Sequence, residues 1–349
     1  MDDRFTHRTV QAGRQRVHLV EAGTGPLVLM CHGFPESWYS WRHQLTALSE
    51  AGYRAVAMDM RGYGRSGKPL AVTDYRITEL VNDCVELVHA LGEQSAVIVG
   101  HDWGAPVAWT AAWTRPDVFR AVAGLSVTFG GRGLMGLPGD PLGERRPSLV
   151  EREVAGPDLR FYQEHFCADS GSAEFQGDVS TIVRKVLYGL SADAPLPPEL
   201  AGVDLTTLPE EGILAFTRAV MCLPPGIGLL DRVPVPETMP PWASEADVEF
   251  YVSELEHTGF EGGLNYYRNV ELDWELLEAY EGQQIRVPSL FIGGDRDVAT
   301  IWGKDAIALL PKTQSDLRGA HIIRDCGHWM QQEQPGQVND LLLEFLRGL

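Results

Sequence analysis

Two uninterrupted apolar runs, Leu27–Cys31 and Ala96–Gly100, are the features of this sequence that most restrict its fold. A strand with one face in water alternates apolar and polar residues, whereas a strand that is covered on both faces does not. Ala55–Met58 is a third such run, and Thr78–Leu91 carries an apolar stripe at helical spacing. This alternation of buried strands and amphipathic helices predicts an α/β fold with a mostly parallel sheet and helices on both faces.

The alternation stops near residue 130 and resumes near residue 287. Glycine and proline are frequent in residues 130–148, and helical patterns without a convincing strand follow. Strand-like residues return at Val287–Ile292, and an amphipathic helix is predicted at Val338–Leu346. The sequence therefore predicts a core domain that is interrupted by a mostly helical insert. The predicted core comprises residues 1–130 and 280–349, and the predicted insert residues 131–279.

The composition excludes several classes of protein. The chain has 349 residues and a net charge of −19, so its surface repels phosphate backbones and anionic lipids, and we expect no nucleic-acid or membrane partner. The five cysteines are odd in number and include no C-x-x-C pair, which argues for a reducing compartment. No signal-peptide pattern follows Met1, so we expect a cytoplasmic protein. A homodimer is compatible with these features.

The glycine-rich segment Gly62–Lys68 matches two phosphate-binding patterns but lacks the context of either. A dinucleotide-binding loop follows the first strand and begins a helix, and this segment does neither. A P-loop has serine or threonine after its lysine, whereas this chain has Pro69. The ten histidines are scattered and form no H-E-x-x-H motif. We therefore expect no cofactor and no metal.

A sharp turn at Gly100–Gly104 separates an apolar strand from a helical pattern. Its sequence, Gly-His-Asp-Trp-Gly, matches the G-x-S-x-G nucleophile elbow with aspartate in place of serine. Asp102 is therefore a candidate nucleophile, and a helix-capping aspartate is the alternative. The loop His32–Pro35 follows the first apolar run, where such folds place their oxyanion loop, so the backbone N–H groups of Phe34 and Trp103 are candidate oxyanion donors.

Candidate acid and base residues occur near the end of the chain. In folds with this elbow, the acid and then the histidine follow the nucleophile in the sequence. Asp295 and Asp297 follow the predicted strand, and His328 lies just after a glycine in a loop. His101 is an alternative base, but it neighbours Asp102 at the strand end and should point to the opposite face.

The sequence resembles the soluble epoxide hydrolases of the α/β-hydrolase superfamily, of the bacterial type with a cap domain, over nearly its whole length. The segments that carry the resemblance are His32–Arg42, His101–Gly104, Phe161–Phe166, Gly259–Asn269, Asp297 and Asp325–Trp329. The chain departs from the family pattern at Ala105, where a second glycine is common, and at Cys167–Ser172. The resemblance implies an α/β-hydrolase fold in which the insert forms a helical cap.

The resemblance implies a role for five side chains. Asp102 is the nucleophile, Asp297 rather than Asp295 the acid, His328 the base, and Tyr162 and Tyr267, rather than Tyr266, the cap tyrosines that bind the epoxide oxygen. The chemistry fits, because attack by a carboxylate on an epoxide carbon leaves an ester, which histidine-activated water can hydrolyse to a vicinal diol. The two tyrosine hydroxyls would protonate the departing oxygen. Core packing is the ordinary role of buried tyrosines, so only the matching segments support this role.

The substrate is expected to be a small apolar epoxide, because aromatic residues surround the predicted site. The expected pocket residues are Phe34, Trp103, Phe166 and Trp329. One alternative is a haloalkane or haloacid dehalogenase, which uses the same nucleophile but binds halide through indole N–H groups. Another is a non-catalytic, ligand-binding relative. Esterase activity is disfavoured, because attack by Asp102 on an ester would give a labile anhydride.

Overall fold

The computed structural model describes residues 5–196, 200 and 202–349. The first four residues, on which the expectation of no signal peptide depends, lie outside the described part. The strands within it are β1 Thr6–Ala12, β2 Gln15–Ala22, β3 Leu27–Cys31, β4 Arg54–Met58, β5 Ala96–His101, β6 Phe119–Leu125, β7 Arg160–Phe161, β8 Cys222–Leu223, β9 Ser289–Gly294 and β10 Leu317–Ile323. The α-helices are α1 Arg42–Glu50, α2 Ile77–Ala90, α3 Gly104–Thr114, α4 Pro147–Ala155, α5 Tyr162–Cys167, α6 Asp169–Glu174, α7 Val179–Gly189, α8 Glu210–Met221, α9 Glu245–Thr258, α10 Glu261–Tyr267, α11 Val270–Leu276, α12 Val298–Trp302, α13 Lys304–Thr313, α14 Met330–Glu333 and α15 Pro335–Arg347.

Eight strands form one sheet in the order β1-β2-β4-β3-β5-β6-β9-β10. The pairs β1–β2 and β2–β4 are antiparallel, and every other neighbouring pair is parallel. The predicted α/β fold with a mostly parallel sheet is therefore confirmed. Among the described residues, none of the helices combines the length and apolar character that a membrane crossing requires.

The sheet is covered on both faces, which explains its uninterrupted apolar strands. In β3, Leu29 packs into the core layer that contains residues of α2 and α3, whereas Val28 and Met30 pack into the layer that contains residues of α1 and α15. Because successive side chains of a strand point to opposite faces, every residue of such a strand must be apolar. All five residues of β3 are buried.

The insert is mostly helical, and it contains α4 to α11. The expectation that it has no strand is wrong to a small extent, because β7 and β8 pair over two residues each. The predicted strand Val287–Ile292 begins two residues late, at Ser289, because Pro288 has no N–H for the ladder. The boundaries of the core and the insert stay a prediction.

The parallel strands place five loops at the same edge of the sheet. The carboxyl ends of parallel strands meet at one edge, which is where open α/β sheets build their ligand sites. The loops that follow β3, β5, β6, β9 and β10 carry Phe34, Asp102, Ser126, Asp297 and His328, respectively. The fold therefore brings together residues that are far apart in the sequence.

Candidate active site

Asp102 lies at the tip of the turn between β5 and α3. Its φ of 50° is in the left-handed region, which a residue with a side chain occupies only at an energetic cost. The turn can close only because Gly100 and Gly104 lack a Cβ: one on Gly100 would collide with the carbonyl of Gly104, and one on Gly104 with the carbonyl of Cys31. The elbow therefore holds the carboxylate of Asp102 above the sheet edge.

One of the two candidate oxyanion donors contacts the carboxylate. The backbone N–H of Phe34 donates to Oδ1 of Asp102 at 2.6 Å. The loop comes this close because Gly33 has no side chain, whose Cβ would overlap the Asp102 carboxylate. Within the described chain, the N–H of Trp103 makes no hydrogen bond to that carboxylate, so its part in an oxyanion hole stays a prediction.

His328 lies between two carboxylates. Its Nε2 is 3.4 Å from Oδ2 of Asp102, and its Nδ1 is 3.0 Å from Oδ1 of Asp297. Asp297 is itself fixed at the start of α12, where it accepts hydrogen bonds from the backbone N–H groups of Ala299 and Thr300 and from the Thr300 hydroxyl. The three side chains have the arrangement in which an acid orients a histidine toward a nucleophile.

The alternative acid and the alternative base have other partners. Asp295 accepts a hydrogen bond from the Cys326 backbone N–H and lies 3.7 Å from Arg324. His101 is fully buried, and its Nδ1 is 2.8 Å from Oε2 of Glu36. Of the two aspartates and the two histidines that the sequence offered, the structure places His328 beside Asp102 and Asp297 beside His328.

The two carboxylates determine the charge of His328. Burial alone would favour the neutral ring, but Asp297 and Asp102 outweigh it and raise the pKa of His328 to about 10. Burial likewise favours a protonated Asp297, and the neighbouring His328 reverses this and lowers the pKa of that carboxyl. The two neighbouring carboxylates therefore favour the imidazolium form of His328 at neutral pH.

A cavity of about 380 Å³ opens above Asp102 and His328, and its wall is mostly apolar. Tyr162 and Tyr267 of the insert line it, as do Phe34 and Phe166. The tyrosine rings have centroids 6.0 Å apart. The cavity therefore brings the two predicted tyrosines to the same space as the predicted nucleophile and base.

The two tyrosine hydroxyls are available as donors. Burial, followed by the charge of nearby Asp102, raises the pKa of Tyr162 above its ordinary value, and burial also raises the pKa of Tyr267. The Tyr162 oxygen accepts a hydrogen bond from Nε2 of Gln163 at 3.0 Å, which leaves its own O–H free to donate. Tyr266, the alternative to Tyr267, does not line the cavity, since its hydroxyl donates to the Arg61 carbonyl.

Two expected pocket residues, Trp103 and Trp329, do not line the cavity. The Trp103 ring stands behind Tyr267, edge-on at 5.1 Å between centroids. The Trp329 indole N–H donates to the Leu187 carbonyl, and its ring packs against His328 at 4.7 Å. Each tryptophan directly follows a residue that lines the cavity, but its own ring packs against a lining residue, Tyr267 or His328, and does not line the cavity itself. The two rings therefore support the site from outside.

The likeness to known proteins extends over the whole chain. Residues 26–150 match the family model for the alpha/beta hydrolase fold. Epoxide hydrolase B of Mycobacterium tuberculosis is 46% identical over 98% of both chains. A solved epoxide hydrolase from an endophytic Streptomyces has a TM-score of 0.88 at 46% identity, over 99% of this chain and 96% of its own. Epoxide hydrolase A of Mycobacterium thermoresistibile has a TM-score of 0.85 at 38% identity, over 99% of both chains.

The chain belongs to the epoxide hydrolases. The predicted family and the predicted α/β-hydrolase fold are therefore confirmed, and the chain is a hydrolase by family.

This epoxide hydrolase also has a buried polar network behind His328 that sequence reasoning missed. Nε2 of His101 donates to the His328 carbonyl at 2.7 Å, and Nδ1 of His101 faces Glu36. Burial favours a neutral Glu36, but His101 outweighs it and lowers the pKa of that carboxyl to about 2. Ser126, at the end of β6, places its hydroxyl 3.1 Å from Nδ1 of His328. The only sequence signal was the position of Glu36 inside the segment His32–Arg42.

The glycine-rich segment Gly62–Lys68, which matches phosphate-binding patterns in sequence, makes hydrogen bonds within the segment and to Asp59. The Lys68 ammonium donates to the carbonyls of Gly64 and Ser66 at 2.7 and 3.0 Å. The Ser66 hydroxyl donates to the Asp59 carbonyl, and the Arg65 backbone N–H to the Asp59 carboxylate. These bonds stabilise a turn after β4.

Proposed function

We propose that this enzyme converts an apolar epoxide and water into a vicinal diol through a covalent ester of Asp102. The observation that carries the proposal is one apolar cavity that contains Asp102, His328 and the hydroxyl-bearing rings of Tyr162 and Tyr267. A nucleophile, a base and two proton donors around one space are what this reaction requires. The names of the relatives agree with the reaction.

In the first step, a carboxylate oxygen of Asp102 attacks an epoxide carbon. A C–O bond forms to that carbon while the C–O bond of the ring breaks, and the epoxide oxygen leaves with the electron pair. Tyr162 and Tyr267 both donate a hydrogen bond to this oxygen, and one of them transfers its proton to it. The products are a hydroxyalkyl ester of Asp102 and one tyrosinate.

The charge of His328 then permits the second step. Once Asp102 is a neutral ester, one of the two carboxylates that hold a proton on His328 is gone, so its pKa falls. The imidazolium can then donate its own proton to the tyrosinate, which leaves a neutral imidazole oriented by Asp297. This ring is the base that the hydrolysis needs.

In the second step, His328 removes a proton from water, and the hydroxide adds to the ester carbonyl of Asp102. The N–H of Phe34, which donates to this carboxylate in the free enzyme, stabilises the oxyanion that develops there. The intermediate collapses, the diol oxygen takes the proton from His328, and the carboxylic acid formed on Asp102 passes its proton to the now neutral His328, so Asp102 is a carboxylate again. The returning carboxylate favours the protonated ring, so the starting charges are restored.

Dehalogenation of a haloalkane or haloacid is the alternative reaction for a chain with the same nucleophile. A dehalogenase would bind the leaving halide through indole N–H groups, and Trp103 is the residue next to the nucleophile. The buried Trp103 indole N–H has no hydrogen-bond partner within the described chain, but its ring does not line the cavity. The two tyrosines that do line the cavity, which an epoxide needs and a halide does not, favour the epoxide as substrate.

Trapping of the covalent intermediate tests the proposal. We expect the His328→Asn variant, mixed with excess styrene oxide, to gain the mass of one substrate and to turn over at least about 10³-fold more slowly than the wild type, because only the second step needs the base. The Asp102→Asn,His328→Asn double variant is the control and should gain no mass. Intact-protein mass spectrometry gives both results.

A second arm follows the oxygen. In a single turnover in ¹⁸O-water with enzyme in excess, the diol should contain no label, because its new oxygen comes from Asp102. Labelled diol in that first turnover, or an unmodified His328→Asn protein, would exclude the ester mechanism. Release of bromide from 1-bromobutane with no diol from any epoxide would favour the dehalogenase.

A further inference from the structure

The carboxylate of Glu333 binds the loop that carries His328 on both sides of this residue. Oε1 of Glu333 accepts the backbone N–H of Trp329 at 2.9 Å, and Oε2 accepts the backbone N–H of Gly327 at 2.9 Å. A backbone held on both sides of one residue has little freedom there. The direction of the His328 ring therefore depends on the position of this carboxylate.

The same carboxylate also binds the insert. Oε2 of Glu333 accepts a third hydrogen bond, from the backbone N–H of Ala192 at 2.9 Å. Two residues earlier, the Leu190 carbonyl accepts the backbone N–H of His328 itself, also at 2.9 Å. The segment Leu190–Ala192 directly follows α7, and its first two residues line the cavity. The wall of the cavity is thus bonded directly to the loop of the base.

The loop and the insert approach so closely that only glycine fits between them. A Cβ on Gly327 would collide with the backbone of Ser191 and Ala192. Burial raises the pKa of Glu333, and the three N–H groups together with the nearby His328 counteract part of this effect. Through three hydrogen bonds from backbone N–H groups, the Glu333 carboxylate therefore joins the loop that carries His328 to the insert.

We propose that Glu333 is a positioning residue: it fixes the position of His328 and couples that position to the position of the insert segment Leu190–Ala192. The inference rests on the proposed ester mechanism, in which His328 acts only after Asp102 has been alkylated. Loss of these contacts should therefore slow hydrolysis of the ester and leave its formation nearly unchanged. A residue that served stability alone would change the melting temperature without separating the two steps.

The first test replaces Glu333 by glutamine, which keeps the volume but presents an amide N–H₂ to at least one backbone N–H. We expect ester hydrolysis in Glu333→Gln to slow about 10- to 100-fold, since small misplacements of a catalytic group have effects of this size. Ester formation should stay within about 3-fold of the wild type, and kcat and KM should fall together because the ester accumulates. Glu344→Gln, the same change at an exposed site on α15, is the matched control and should leave both rates unchanged.

The second test displaces the insert and leaves the carboxylate in place. Gly327→Ala adds one methyl group against Ser191 and Ala192, so we expect slower ester hydrolysis here too. Rapid-quench mass spectrometry with styrene oxide measures formation and decay of the adduct, normalised to folded protein by circular dichroism. If Glu333→Gln does not fold, Glu333→Asp, which keeps the charge but is one methylene shorter, takes its place with the same expectation.

The outcomes separate this inference from the mechanism on which it rests. If the wild type forms no adduct on Asp102, the ester mechanism itself fails. If the adduct forms but decays within twofold of the wild-type rate in the Glu333 variant, or if both steps slow equally, Glu333 is not a positioning residue. Normal decay in Gly327→Ala alone would overturn the link to the insert.

Discussion

Replacement of the two cavity tyrosines by phenylalanine is the sharpest test of the proposed chemistry. Tyr162→Phe and Tyr267→Phe each remove one hydroxyl and keep the ring. The edge-on packing of these rings against each other and against Phe166 is therefore retained. A change in the rate of ester formation can then be assigned to the lost O–H donor.

The expected effect follows from where the charge develops. The epoxide oxygen becomes negative in a cavity with a mostly apolar wall, where loss of one donor to such an oxygen costs about 3–4 kcal/mol, or about 10²–10³ in rate. Each single variant should lose about this much in the rate constant of ester formation. Both donors act on one oxygen, so the two losses need not add, and the double variant should lose at least about 10³.

One of the two variants should also lose stability. Nε2 of the buried Gln163 donates to the Tyr162 hydroxyl and to Sδ of Met135, and Tyr162→Phe leaves one of its two N–H groups without an acceptor. A buried donor that loses its partner costs about 1–3 kcal/mol, which sets the expected decrease in the free energy of unfolding. Rates must therefore be normalised to folded protein.

The assay is the single-turnover rate of ester formation with styrene oxide, followed by rapid-quench mass spectrometry. Tyr266→Phe is the matched control, because Tyr266 is the adjacent residue, is equally buried, and donates to the Arg61 carbonyl outside the cavity. It should form the ester within about twofold of the wild-type rate. A double variant that forms the ester at a near-wild-type rate would refute the role of the tyrosine pair.

Two further predictions concern the charges around His328. Asp297→Asn should slow ester hydrolysis at least about 10²-fold in the rapid-quench assay, because Asp297 orients His328. Asp295 forms no hydrogen bond or ion pair with His328 in the described chain, so the rate of ester hydrolysis in Asp295→Asn should stay within about threefold of the wild type. Equal effects of the two substitutions would contradict the assignment of Asp297 as the acid. Because the pKa of His328 is raised to about 10 from 6.5, its stabilising contribution is complete below pH 6.5 and is lost as the pH rises toward 10. The free energy of unfolding, from urea titrations, should fall across this window by up to about 1.4 kcal/mol per pH unit, and His328→Asn should flatten the slope.

The parts of the fold that the sequence predicts best are those with strong periodic patterns. The run Ala96–Gly100 and the glycines around Asp102 specify a strand, a turn and a helix by local sterics alone. The hairpin formed by β1 and β2 was not predicted, because β1 is an edge strand in which every residue except Ala12 is exposed or partly exposed. Such a strand has neither the uninterrupted apolar run nor the strict alternation that identifies a strand in a sequence.

Side-chain direction in the site was harder to predict than residue identity. Trp103 and Trp329 were expected in the pocket as aromatic residues of an apolar site, yet neither ring lines the cavity, and each packs against a residue that does. The pair of Glu36 and His101 was missed for another reason: the contact joins residues 65 positions apart, and only the folded sheet brings the two loops together. Contacts of this kind have no local signal in a sequence.

The charges of Asp102, His328 and Asp297 suit the reaction only if they change in a fixed order during each turnover. A histidine with a pKa of about 10 is a poor general base near neutral pH, because almost all of it carries a proton. Were His328 needed in the first step, the two flanking carboxylates would obstruct the reaction. In the proposed order it is needed only after Asp102 has lost its charge, and that loss is what makes His328 basic. The carboxylate that suppresses the base is thus the group that the first step consumes, so water is activated only when an ester is present to receive it.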